Sequence, residues 1–109
     1  MTIITKETWD LKPEKAAEFY KYLERWKQLV KDRPELFEEI KSWNSYGTVM
    51  GTTFQGMNLW EFDNFTEMEK HRKKFYTDPT LVKFVTELWT YLIPGTHRLE
   101  IWEPVLKIK

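Results

Sequence analysis

The sequence predicts an α+β domain with elements in the order β-α-β-β-α-β. Three observations predict it. Two long stretches, roughly residues 13–33 and 65–92, repeat apolar side chains at three- and four-residue steps, the period of a helix lying on a sheet. Four shorter stretches are β-branched and aromatic. Proline and glycine stand at the joints, at Pro13, Pro34 and Pro94-Gly95.

Residues 2–11 (TIITKETWDL) read as the first strand, with neither face purely apolar. Pro13 starts the first helix, where its missing donor costs nothing. Ala16, Phe19, Tyr20, Leu23, Trp26 and Val30 form its apolar stripe, and Pro34 ends it. Residues 35–40 add a short helical turn. Residues 42–50 (SWNSYGTVM) read as the second strand, residues 51–56 as a hairpin connection, and residues 57–62 (MNLWEF) as the third strand. The second helix starts near Phe65. Thr66 and Glu69 have capping-box spacing. Asp78-Pro79 breaks this helix, because proline removes a donor and clashes with the preceding turn. It resumes through Leu81, Phe84, Val85, Leu88, Trp89 and Leu92 until Pro94-Gly95 stops it. Residues 96–105 (THRLEIWEPV) read as the fourth strand. The order is that of the ferredoxin-like split βαβ fold, an antiparallel sheet with both helices on one face.

Composition narrows the function classes. One domain is expected from 109 residues. Lys plus Arg and Asp plus Glu both number 17, which argues against a nucleic-acid footprint. His71-Arg72-Lys73-Lys74 reads as a solvated helix face. There is no Cys, so disulfides, thiolate metal sites and a thiol nucleophile are excluded. The Lys- and Glu-rich, Cys-free balance resembles thermophile usage. A cytoplasmic protein is expected. No basic start with an apolar core opens the chain, and no apolar run nears the ~18–20 residues of a membrane span.

Trp9 to Lys15 (WDLKPEK) with Glu18-Phe19 resembles the strand, Lys-Pro-Gly-Lys, helix opening of the dimeric α+β barrel superfamily, in its antibiotic-biosynthesis-monooxygenase-like and NIPSNAP-like branches. Glu14 stands where glycine is common. Leu59-Trp60-Glu61-Phe62 followed by His71 is similar to the strand-Trp, helix-His element of the first branch. Tyr76-Thr77-Asp78-Pro79 resembles the helix break of the second. The resemblance implies a homodimer with sheets face to face. It also implies either of two functions. One is a cofactor-independent oxygenase acting on an aromatic or quinol-type molecule, so that no cofactor is expected. The other is a non-catalytic dimeric module that binds a small ligand or assembles. Haem degradation is disfavoured, because the first strand has no Asn and the second helix before Asp78 has no Trp.

The candidate catalytic residue is His71, a general base or substrate hydrogen-bond partner, since imidazole titrates near neutrality. The plainer reading is a packing or capping histidine. Tyr20, Tyr46, Trp60, Glu61 and Trp89 are the candidate substrate-binding residues. The aromatics among them could line a flat pocket, or simply fill a heavy core. Glu61 reads as an interface ion-pair partner of Arg98, or else as a pocket acid. His97 reads as a strand-end residue. The two histidines are a weak metal signal, and no metal is expected. An open cavity reaching His71 favours the enzyme; a cavity filled by Phe19, Trp26 and Trp89 favours the module.

Overall fold

A computed structural model describes residues 2–51 and 54–109. Its regular elements are β1 (Ile3–Asp10), α1 (Ala16–Asp32), β2 (Ile40–Gly47), β3 (Gln55–Phe62), α2 (Phe65–Thr77), α3 (Pro79–Leu88) and β4 (Arg98–Trp102). The four strands form one antiparallel sheet in the order β2-β3-β1-β4. This is the split βαβ arrangement that the sequence predicts.

Alternation along β1 decides which sheet face the helices cover. Ile3, Thr5, Glu7 and Trp9 are buried, while Ile4, Lys6, Thr8 and Asp10 are only half-buried. Register carries the inner face across the sheet, pairing Thr5 with Trp60, Glu7 with Asn58 and Trp9 with Gly56. On the far side of β1, Glu7 pairs with Leu99. The main core lies between this face and the helices. It is built on Trp9, Phe19, Tyr22, Trp26, Leu81 and Tyr91. Phe19, Tyr22 and Tyr91 sit with ring centroids 5.1–5.9 Å apart. A second cluster, Ile3, Phe62 and Met68, fills the other end.

Several boundaries differ from the sequence reading. The N-cap of α2 is Asn64, not Thr66; its side chain accepts from the Glu67 amide at 2.9 Å. Asp78 does break the long second helix, and its carboxylate caps α3 through the Thr80 and Leu81 amides. That helix ends at Leu88 rather than at Pro94, because Leu92 is drawn into a bridge with Leu11. The inner stripe of α1 is Phe19, Tyr22 and Trp26, and Tyr20 points outward at 61% exposure. β4 covers only residues 98–102. The 51–56 connection falls partly outside the described residues.

Candidate active site

The sheet and the three helices leave a cleft of about 160 Å³ between them. Its inner wall includes the buried Trp9, Phe19, Tyr22, Trp26 and His71. Its mouth is formed by the exposed Arg72, Tyr76, Trp89 and Leu99, between α2, the end of α3 and the β4 edge.

The polar end of this cleft is a chain of three side chains. Glu7 projects inward from β1 and is only 7% exposed. Asn58, its cross-strand partner, donates Nδ2–H to Glu7 Oε1 at 2.9 Å. His97 Nε2 meets the other oxygen, Oε2, at 2.6 Å. A carboxylate only accepts, so the imidazole donates from Nε2 and Nδ1 is left as its free nitrogen. Among the described residues, no hydrogen bond is made to His97 Nδ1.

The segment that delivers His97 is fixed to the end of β1. The Ile93 amide donates to the Asp10 carbonyl at 2.9 Å. Thr96 Oγ1 accepts from the Asp10 amide at 3.1 Å and donates to the Ile93 carbonyl at 2.7 Å. Gly95 permits the turn between them, at φ +81°. Trp89 then packs edge-on against the imidazole, with centroids 4.8 Å apart.

His71 lines the same cleft from α2. It is enclosed by Phe75, Phe62 and Trp60, with centroids at 4.4, 5.4 and 5.6 Å. Neither ring nitrogen has a hydrogen-bond partner among the described residues. Trp9 Nε1, Trp60 Nε1 and Asn58 Oδ1 are likewise unpartnered. Each unmade buried hydrogen bond costs roughly 1–3 kcal/mol; Trp9 Nε1 packs on Gly56, and the Trp60, His71 and Asn58 groups suit this wall of the cleft to a ligand with oxygen atoms. α2 is held in place by Lys74, whose Nζ lies 2.7 Å from a buried Glu39 carboxylate oxygen and donates to the Glu35 carbonyl at 2.8 Å.

Burial lowers the His71 pKa from about 6.5 to about 4; Glu39 nearby opposes the shift and Lys74 adds to it. The imidazole is therefore neutral at pH 7. An unfolded chain would bind a proton at His71 below about pH 6.5, and the folded chain only near pH 4, so the folded state loses stability over that window. The full loss is on the order of 3 kcal/mol. His71→Phe is expected to flatten the pH dependence of the urea midpoint between pH 7 and pH 4. An unchanged slope in the variant would assign the acid lability elsewhere.

Of the candidate residues read from sequence, His71, Trp60 and Trp89 line this cleft together. Tyr20, Tyr46 and Glu61 do not. Tyr20 turns out from α1 over Gly47. Tyr46 and Glu61 lie on the opposite sheet face, where register pairs Tyr46 with Met57 and Glu61 with Ser42. Glu61 accepts from Ser42 Oγ at 3.1 Å and has Lys41 Nζ at 4.0 Å. Arg98 cannot reach it within one chain, since Arg98 pairs with Thr8 while Glu61 pairs with Ile4, farther along β1 and on its other side. The sequence reading does not single out Glu7, Asn58 and His97 as a site. The available signal for Glu7 is its parity, an acid sharing a strand face with Ile3 and Trp9. Among the described residues, no group of three or more His, Asp or Glu side chains could hold a metal ion.

The family model described as NIPSNAP matches residues 6–96. The chain belongs to the NIPSNAP family. Solved structures share its fold. An uncharacterised NIPSNAP-like domain protein from Burkholderia xenovorans aligns with a TM-score of 0.74 at 22% identity, covering 95% of this chain and 85% of that one. A NIPSNAP family protein from Agrobacterium tumefaciens also gives 0.74, at 17% identity, with 96% and 94% covered. A candidate antibiotic biosynthesis monooxygenase from Deinococcus radiodurans gives 0.71 at 14% identity, with 98% and 96% covered. No curated protein matches the chain. The cleft of this NIPSNAP chain, lying within the matched residues except for His97 and Leu99, is thus built on the shared fold.

Proposed function

We propose that this protein binds a small hydroxylated aromatic molecule in the cleft and removes the hydroxyl proton, as a cofactor-independent oxygenase does. The observation that carries this reading is the Asn58–Glu7–His97 chain at the polar end of an aromatic cleft. Glu7 fixes the tautomer and orientation of His97, which leaves Nδ1 as the base. Burial holds the His71 pKa near 4, and no carboxylate hydrogen-bonds to its ring among the described residues. Its place is in the wall, as a neutral hydrogen-bonding group.

With hydroquinone and oxygen the balanced oxygenase reaction gives 2-hydroxy-1,4-benzoquinone and water, one atom of O₂ entering the ring and the other leaving as water with two of the hydroquinone hydrogens. Oxygen uptake by the wild type that falls at least tenfold in Glu7→Gln and in His97→Gln would support the proposal. Saturable binding of hydroquinone with no uptake above the enzyme-free rate would favour the non-catalytic module instead. That second reading draws on the cleft wall, which is mostly aromatic.

The outer sheet face is proposed to meet a second copy. Ile4, Met57, Leu59, Tyr46 and Trp102 share it with Lys6, Glu61, Arg98 and Glu100. Apolar rings and aliphatic chains interleaved with both signs of charge make a self-complementary surface. Light scattering at micromolar concentration is expected to give twice the 13.4 kDa chain mass, and Leu59→Lys to give the monomer. A wild-type monomer would refute this assembly.

A further inference from the structure

We propose that the aromatic ring held in the cleft carries a carboxylate, and that Arg72 at the mouth binds it. This rests on the reading of the cleft as an aromatic site and names the class of molecule that it takes. Size comes first. An apolar cavity of about 150 Å³ accommodates one benzene ring, so the 160 Å³ here takes a single ring with its substituent reaching the mouth. Fused polycyclic molecules exceed that space.

Charge fixes which end points outward. Among the described residues, Glu7 is the only carboxylate that lines the cleft, itself buried, and it repels an anion placed beside it. A hydroxyl beside His97 avoids this repulsion. Arg72 is the cationic side chain of the mouth. What sets it apart from the other cations is its place, the one Lys or Arg among the described residues that lines the cleft. A guanidinium fork matches a carboxylate with two parallel hydrogen bonds. The Trp60 indole N–H and the neutral His71 ring, both unpartnered among the described residues, belong to the same cleft wall. Together these features select a hydroxybenzoate-like acid, ring inside, hydroxyl toward His97 and carboxylate toward Arg72.

Phenol, benzoate and 4-hydroxybenzoate are titrated against the wild type, Arg72→Met and Lys70→Met by tryptophan fluorescence at low salt. In the wild type, 4-hydroxybenzoate is expected to bind about tenfold tighter than phenol, a difference of about 1.4 kcal/mol. That ratio should fall to near one in Arg72→Met, persist in Lys70→Met, and shrink as salt is raised. Phenol binding as tightly as the acid, or a ratio that survives in Arg72→Met, overturns the carboxylate proposal and leaves the aromatic site standing. If neither phenol nor either acid binds the wild type, the aromatic reading falls and takes this proposal with it.

Discussion

Glu7→Ala is expected to destabilise the fold by about 1–3 kcal/mol, the effect of leaving a buried Asn58 donor and a half-buried His97 donor without an acceptor. Asn58 Nδ2–H and His97 Nε2–H both point at the Glu7 carboxylate, and Asn58 is only 7% exposed. Asn58 cannot turn to water without moving β3, whereas His97, just before β4 with its side chain 24% exposed, is only partly shielded. Glu7→Gln keeps one acceptor oxygen and should lose clearly less stability than Glu7→Ala. Glu7→Leu replaces the carboxylate with a side chain of similar volume and still strands both donors, so it should resemble alanine. Urea unfolding at pH 7, extrapolated to water, measures all three. If Glu7→Ala proves as stable as the wild type, the hydrogen-bonded chain does not exist in solution.

Gly56→Ala should destabilise by about 3 kcal/mol or more, at the upper end of the usual effect of overpacking. A Cβ at Gly56 would lie 2.5 Å from Trp9 Nε1 and 2.6–2.7 Å from two ring carbons. Trp9 is 1% exposed and edge-packed on Phe19, so the ring has nowhere to go except into the cleft or away from the sheet. Opposing this, alanine in a strand gains roughly 0.5–1 kcal/mol over glycine. The clash outweighs that gain. The same substitution should shift the tryptophan fluorescence and weaken ligand binding, since Trp9 forms part of the cleft wall. A variant with wild-type stability and spectrum would mean that β3 carries the extra methyl by a backbone shift, and that Trp9 is not seated on Gly56.

The fold is legible in the sequence because its signals are local. Apolar spacing marks α1, the Asp78-Pro79 pair marks the α2–α3 break, and the order of elements then leaves few topologies. The cap of α2 is not, because Asn64 and Thr66 are both good caps two residues apart, and sequence does not show which backbone is extended. The site is legible only in part. His71, Trp60 and Trp89 stand in segments with a clear direction, and the cleft gathers them. Glu7 and His97 are separated by 90 residues and meet only because β1 lies beside β4. That contact is a property of sheet order and has no local signature. Tyr46 and Glu61 fall outside the cleft for a related reason. Strand parity decides the face, and the register shift between Ile40 and Ser42 resets it at the start of β2.

The chain has two histidines, and both line the cleft. A ¹H–¹³C spectrum of their two Cε1–H groups, followed through a phenol titration at pH 7, therefore reads the site directly. Both resonances are expected to move along saturable curves with one dissociation constant. The His97 response is expected to be altered in Glu7→Gln. Resonances that stay fixed up to the solubility limit of phenol would contradict the claim that this cleft is a ligand site.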